Sequence, residues 1–246
     1  MLISVCQPSV VERESVILDN GAMMDLDEIQ RRLARLDTAC VCDAEKSLQL
    51  QLRVIDPAIR PIRRGLKLVG PAHTVQCKDD FLTVIKALIE AEPGEVIVID
   101  SQGSQRALTG ELFPTEAIRK GLAGIVNDGP CRDTAAVRAL SLPYYARSVD
   151  CRPGTTQHLF ATQIPVNCGG VTVHPGDILF GDDDGILVAT AEQWAQLLPV
   201  AEAIQRQEEQ LLARMAAGTS LESMLNFHEH CQQLRAGQSS KLEFRV

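Results

Sequence analysis

Arg132 and Asp133 stand side by side where an apolar run, Ile125-Val126, passes through Gly129-Pro130 and ends in opposite charges. An Arg guanidinium is a planar fork for a carboxylate or an oxyanion. An Asp carboxylate is a hard oxygen ligand for a divalent cation. Together the pair could grip an acidic, oxygen-rich small molecule through a metal. A surface or capping ion pair is the alternative reading of the same dipeptide. Upstream, Gly110-Glu111-Leu112-Phe113 opens a helical pattern. The unpaired N–H groups of a helix start make a natural carboxylate site. The loop before it carries Ser101, Gly103 and Ser104, small residues that let a ligand approach. Both features fall at the ends of neighbouring elements, where ligands bind in α/β sheets.

The elements that must position these residues can be read from periodicity and punctuation. Residues 1–25 show no clear period and read as an N-terminal arm. Leu26, Ile29, Leu33 and Leu36 have helical spacing. Residues 38–44 read as a loop running into another helix, with Asp43 as its cap. Residues 66–70 and 72–77 alternate like strands. Residues 81–92 read as an amphipathic helix stopped by Pro93-Gly94, and 95–100 as a strand buried on both faces. A helix over 111–120 ends at Gly121, followed by a strand at 125–126, a short helix after Asp133 and a strand over 143–147. Residues 164–190 form a run of short strands. Thr190 and Gln193 make a capping box for a long helix reaching about 217, with a bend expected at Pro199. Residues 219–246 read as a polar tail. Interleaved helices and strands place the chain in the α/β class, with a mixed or layered sheet. The domain expected spans 26–218.

Composition narrows the function classes. The 246 residues include 24 Lys+Arg against 32 Asp+Glu, a net charge of −8 with no basic run. That argues against nucleic acid as a partner, which needs clustered cations. No apolar stretch reaches the roughly 18–20 residues of a membrane span. The start of the chain lacks the basic segment of a secretory signal. Eight cysteines form no C-x-x-C pair, so free thiols and a cytoplasmic location are expected.

Other clusters compete weakly with the first. His228-Glu229-His230 has i,i+2 spacing in a polar region and reads as solvated. Asp182-Asp183-Asp184 between glycines reads as a strand-joining turn. Cys40 and Cys42 read as buried or incidental. His73 reads as packed on its strand, with a substrate contact as the lesser alternative. Glu202, Arg206, Glu209 and Arg214 read as a solvated helix face.

The ordered set of motifs resembles the RraA-like family, which includes divalent-metal-dependent 4-hydroxy-4-methyl-2-oxoglutarate / 4-carboxy-4-hydroxy-2-oxoadipate aldolases and the RraA regulators of RNase E. The resemblance rests on residues 94–100 (GEVIVID), on Gly110-Glu111-Leu112, and on Gly121, Gly124, Val126, Asp128, Gly129, Arg132 and Asp133. It continues through Pro143 and Ala146-Arg147, and through Gly181, Asp182, Asp184 and Gly185, with Gly70-Pro71-Ala72, Thr74 and Val75 before it. It covers roughly residues 30–220. The family has an acidic residue, twenty intervening residues and then Arg-Asp, as Glu111 and Arg132 do here. Glu111 departs from the more frequent Asp, and Ala136 stands where many aldolases have an acid. Retention of Asp133 favours the enzymes over the regulators.

The resemblance implies a layered β/β/α domain with a partly barrel-like sheet, assembled as a homotrimer or homohexamer with sites between subunits. It implies Mg²⁺ or Mn²⁺ on Asp133, a 2-oxo acid whose carboxylate meets the Leu112 and Phe113 amides beside Gly110, and Arg132 on the keto oxygen. Glu111 would orient a metal-bound water, and Glu208 or Glu209 of a neighbouring subunit would assist proton transfer. Arg147 would meet a second substrate carboxylate. The reaction implied is cleavage of a 4-hydroxy-2-oxo diacid to pyruvate and a second oxo acid, with oxaloacetate decarboxylation as a side activity. The alternatives are a non-catalytic regulator of a ribonuclease and a lyase acting on another hydroxy or oxo acid.

Overall fold

The computed structural model describes residues 15–17 and 23–245. The elements follow in order β1 (Ser15–Ile17), β2 (Met23–Asp25), α1 (Leu26–Leu33), α2 (Thr38–Leu48), β3 (Arg53–Val54), β4 (Arg60–Pro61), β5 (Leu68–Gln76), α3 (Leu82–Glu90), β6 (Val96–Asp100), α4 (Leu112–Lys120), β7 (Gly124–Cys131) and α5 (Thr134–Ala139). Then come β8 (Tyr144–Val149), β9 (Val166–Cys168), β10 (Val171–Val173), β11 (Ile178–Gly181), β12 (Ile186–Ala189), α6 (Ala191–Ala216), a 3₁₀ turn (Glu222–Met224) and α7 (Phe227–Arg235).

Eight strands make the central sheet in the order β3-β12-β11-β5-β6-β7-β8-β4. The four in the middle, β5 to β8, run parallel, and the rest pair antiparallel. β6 shows why the parallel strands sit inside. Its side chains alternate between two cores, Ile97 and Ile99 on one face, Val96 and Val98 on the other. The first face is covered by α3 and α4 through Val84, Ala87, Leu88 and Ala117. The other is covered by the β9–β10 hairpin through Val166, Cys168 and Val173. A third core joins α1, α2 and α6 to β11 and β12, with Trp194 fully buried.

The sheet curls into a half-barrel. The Tyr145 hydroxyl on β8 donates to the Asp182 carbonyl beyond β11 at 2.8 Å, and Arg60 on edge strand β4 donates to the Asp184 carbonyl at 3.3 Å. The layered, partly barrel-like α/β architecture expected from the family resemblance is therefore the one observed. The acidic turn 182–184 acts here as a clasp. Asp182 accepts from the Thr38 N–H and hydroxyl, each at 2.8 Å, and Asp183 accepts from the Gly65 N–H at 2.9 Å.

Several local expectations are corrected. α2 starts at Thr38 rather than near Ala44, because Asp37, not Asp43, caps it by accepting the Cys40 N–H at 2.7 Å. The short strands β3 and β4 lack a readable period and exist as edge partners of β12 and β8. α6 runs through Pro199 and keeps its capping box at Thr190 and Gln193. Residues 219–245, read as a polar tail, carry the 3₁₀ turn and α7, fastened around a fully buried Met224 whose carbonyl accepts the Arg245 N–H at 2.7 Å. Most of the expected arm, residues 1–14 and 18–22, lies outside the described residues. Within it, β1 pairs with β2. No described helix is long and apolar enough to cross a membrane.

Candidate functional site

Arg132 and Asp133 come directly after the end of β7. Asp133 sits in the left-handed region (φ 57°, ψ 32°) at the start of α5. Asp is one of the few side chains that tolerate this conformation. The turn swings its carboxylate toward the start of α4. There the Glu111 N–H donates to Asp133 Oδ2 at 3.2 Å, and Arg132 Nε lies 3.5 Å from the same oxygen. No described group bonds Asp133 Oδ1, and the side chain is 42% exposed. Gly110 makes the approach possible. A Cβ there would overlap Asp133 Oδ2 and come within 3.1 Å of Arg132 Cγ.

These residues line a small cleft with about 280 Å³ of empty space open to solvent. Gly110, Glu111, Leu112 and Phe113 form one wall, Arg132 and Asp133 another. The far side is apolar: Phe81 and Pro153, with Phe81 edge-on to Phe113 at 5.9 Å between centroids. Phe81 opens a helical period that says nothing of this cleft, and Pro153 is not marked by any sequence period. Phe81 reaches the cleft because its neighbour Asp80, fully buried, gathers residues 155–158, and Pro153, continuous with that segment, is also fixed where Arg152 and Gly154 pair with the Ala107 backbone. Asp80 accepts from the Thr155 hydroxyl and the Gln157 N–H, both at 2.6 Å, from the Leu82 N–H at 2.9 Å and from the His158 N–H at 3.0 Å. Burial works against the Asp80 charge, yet these donors outweigh it and hold the carboxyl down to about 2. Behind Arg132, burial pushes the Cys131 thiol up to about 11 and keeps it neutral.

The structure thus brings together Gly110, Glu111, Leu112, Phe113, Arg132 and Asp133. It leaves Glu208 elsewhere: this exposed residue of α6 accepts the Cys40 thiol at 3.3 Å and does not line the cleft. Glu209 accepts from the Gln205 side chain at 3.2 Å. Arg147 is already engaged, paired with Asp128 and, at 2.8 Å, with Asp56. Those hydrogen bonds, Asp128 first, raise its pKa further. His73 is buried against Glu95 at 3.0 Å. His228, Glu229 and His230 face separate partners: Glu222, Arg245 and Ser240.

Whether this cleft suits a divalent cation can be judged from its donors. No three His, Cys, Asp or Glu side chains converge among the described residues. One exposed carboxylate with a free oxygen, Asp133, faces the cleft beside the Glu111 carboxylate, which has no partner among the described residues. That sparse set fits Mg²⁺ or Mn²⁺ chemistry, in which waters and substrate oxygens complete the shell. It does not fit a dedicated all-protein cage such as a structural zinc site.

A family model described as RraA-like (Aldolase/RraA) matches residues 38–188. A Halalkalibacterium halodurans protein named "Putative 4-hydroxy-4-methyl-2-oxoglutarate aldolase" is 36% identical over 176 residues, 71% of this chain and 82% of the relative. A crystal structure of an uncharacterized protein from Pseudomonas syringae pv. tomato is similar with a TM-score of 0.71 and 27% identity, covering 80% of this chain and 96% of that one. Streptomyces coelicolor RraAS2, described as an unusual member of the RNase ES inhibitor RraA family, is similar with a TM-score of 0.65 and 29% identity over 76% of this chain and 96% of that one.

Proposed function

Since the chain belongs to the RraA-like family, we propose that the cleft between α4 and the end of β7 is the active site of a divalent-metal-dependent lyase. Its substrate class is the 4-hydroxy-2-oxo diacids, and pyruvate is one product. The observation that carries the reading is the convergence of Arg132, the free oxygen of Asp133 and the α4 N-terminus on one small cleft.

Asp133, with Glu111 beside it, would hold Mg²⁺ or Mn²⁺, which when bound supplies Lewis-acid stabilisation of charge on substrate oxygen. The Leu112 N–H at the start of α4, joined by the Phe113 N–H that also donates to the Gly110 carbonyl at 3.3 Å, binds the substrate carboxylate, aided by the positive end of the helix. Arg132 donates to the 2-keto oxygen and stabilises the negative charge that collects there. In the cleavage, the C4 hydroxyl loses its proton to a base and becomes a carbonyl. The C3–C4 bond breaks, and its electron pair passes to C3 and the keto oxygen. Protonation of C3 then yields pyruvate. Glu111 is the unpaired carboxylate in the cleft and can position a water for proton transfer. Glu208 of a neighbouring subunit, in a trimer or hexamer, is proposed as the assisting carboxylate. Oxaloacetate decarboxylation passes through the same charge pattern and is expected as a second activity.

The test is a pyruvate-coupled assay over oxaloacetate and branched 4-hydroxy-2-oxo diacids, with chelation and metal add-back. Activity should vanish on chelation and return with Mg²⁺ or Mn²⁺. Asp133→Asn, which keeps the left-handed backbone while removing the charge, should lower kcat by at least about 10²-fold. Pyruvate release that survives chelation would overturn the metal-dependent reading, and none across the panel would favour a non-catalytic regulator.

A further inference from the structure

The two halves of the cleft sit on different segments, and a buried polar chain ties them together. Asn127 on β7 is completely buried. Its side-chain amide donates to the Pro130 carbonyl at 3.1 Å and to the Thr109 hydroxyl at 3.3 Å. Thr109, itself 2% exposed, also bonds the buried Tyr144 hydroxyl. The Thr109 carbonyl in turn accepts the Arg132 N–H at 3.0 Å. So the residue just before Gly110 is bonded both to the backbone of Arg132 and, through Asn127, to the strand that delivers it.

The tie spans a defect in the sheet. β7 pairs with β8 at Asn127↔Ala146 and again at Pro130↔Ser148, so β7 carries one extra residue across this step. Such a bulge re-aims the residues after it and is over-represented beside active sites. Here the extra residue falls just before Arg132-Asp133, and the Asn127 amide fills the bend. Asn127 Oδ1 has no hydrogen-bond partner among the described residues, so the amide acts at this position through its Nδ2 donors to Pro130 and Thr109.

We infer that Asn127 and Thr109 are positioning residues that set the separation between the α4 N-terminus and the Arg132–Asp133 pair. The inference rests on the proposed reading in which both halves act on one substrate, and it can fail independently of it. The experiment compares Thr109→Val, which keeps shape but removes the hydroxyl, with Thr109→Ser, which restores it, and with Asn127→Leu. Backbone amide exchange is followed by NMR, and kcat and KM for pyruvate release are measured beside it.

In Thr109→Val the Arg132 and Glu111 amides should exchange at least about tenfold faster, while those of Ile97–Ile99 in β6 stay as in the wild type. kcat should fall by about 10²-fold with KM within about threefold, since misplacement of reacting groups acts mainly on the chemical step. Thr109→Ser should restore both readouts, and Asn127→Leu should behave like Thr109→Val. Wild-type exchange at Arg132 and Glu111 in Thr109→Val overturns the inference, whether or not the chain releases pyruvate and whether or not Asn127→Leu folds. Faster exchange in a chain that never releases pyruvate would instead leave the tie standing and remove the catalytic reading.

Discussion

Gly110 faces Arg132 Cγ and Asp133 Oδ2 so closely that even one methyl has no room. Gly110→Ala should therefore push the α4 N-terminus and Asp133 apart, lowering kcat/KM by at least about 10²-fold. The melting temperature should move only a few degrees, because the methyl meets the side chains of Asp133 and Arg132, which are half exposed and can give way. Steady-state kinetics beside calorimetry would check this; an active Gly110→Ala would show that the close approach is dispensable. At this scale much was legible in the sequence. Arg132, Asp133 and the Gly110–Phe113 helix start were visible because charge pairs and helix openings are local patterns. Arg147 is different: its expected substrate contact came from the family resemblance alone, and no local pattern told of Asp56, 91 positions away, which the fold brings to it. Asn127 and Thr109 gave no signal, since a buried tie between segments is defined only by the register of two strands.

The elements that shape the cleft depend on one carboxylate. Asp80 joins the start of α3 to residues 155–158 through four donors, and so holds Phe81 and Pro153 in place. Its folded pKa, about 2, lies below the unfolded value of about 3.9. The stabilisation is thus complete above about pH 4 and is lost as pH falls toward 2. Asp80→Asn should cost about 2 kcal/mol at neutral pH, and that deficit should shrink as pH drops through this window. Urea denaturation of both proteins from pH 7 to pH 2 tests it; a deficit independent of pH would assign the effect to packing. Here the sequence was legible where an element had its own period, as in β6, α3 and α6. It was silent where an element exists only by pairing, as with β3 and β4, and it misplaced the start of α2, which one cap decides. The 150–165 segment has few regular hydrogen bonds of its own and takes its shape from Asp80.

On the scale of the whole molecule, the cleft is open on one side. Leu112 at its mouth is 73% exposed and Ile89 on neighbouring α3 is 71% exposed, while Glu208 lies away from it. A homotrimer or homohexamer that covers this side and carries Glu208 into a neighbour's cleft is the expected assembly. Light scattering after gel filtration should give about three or six times the 26.8 kDa chain mass. Co-refolding Glu208→Gln with Asp133→Asn subunits should then recover part of the activity, and a monomer active at any dilution would refute shared sites. The curled sheet itself was foreseeable only through the family resemblance, whereas the clasp that closes it, Asp182 and Asp183 on Thr38 and Gly65, was not. One local feature reaches furthest at this scale. Because the backbone at Asp133 is left-handed, the residues that fit it best are Asp, Asn and Gly, and codons for Asn and Gly lie one base from those for Asp. A lineage can therefore discard the charge on which the proposed chemistry depends while the scaffold stays intact, and a catalyst and an inert binding protein can share this architecture one nucleotide apart.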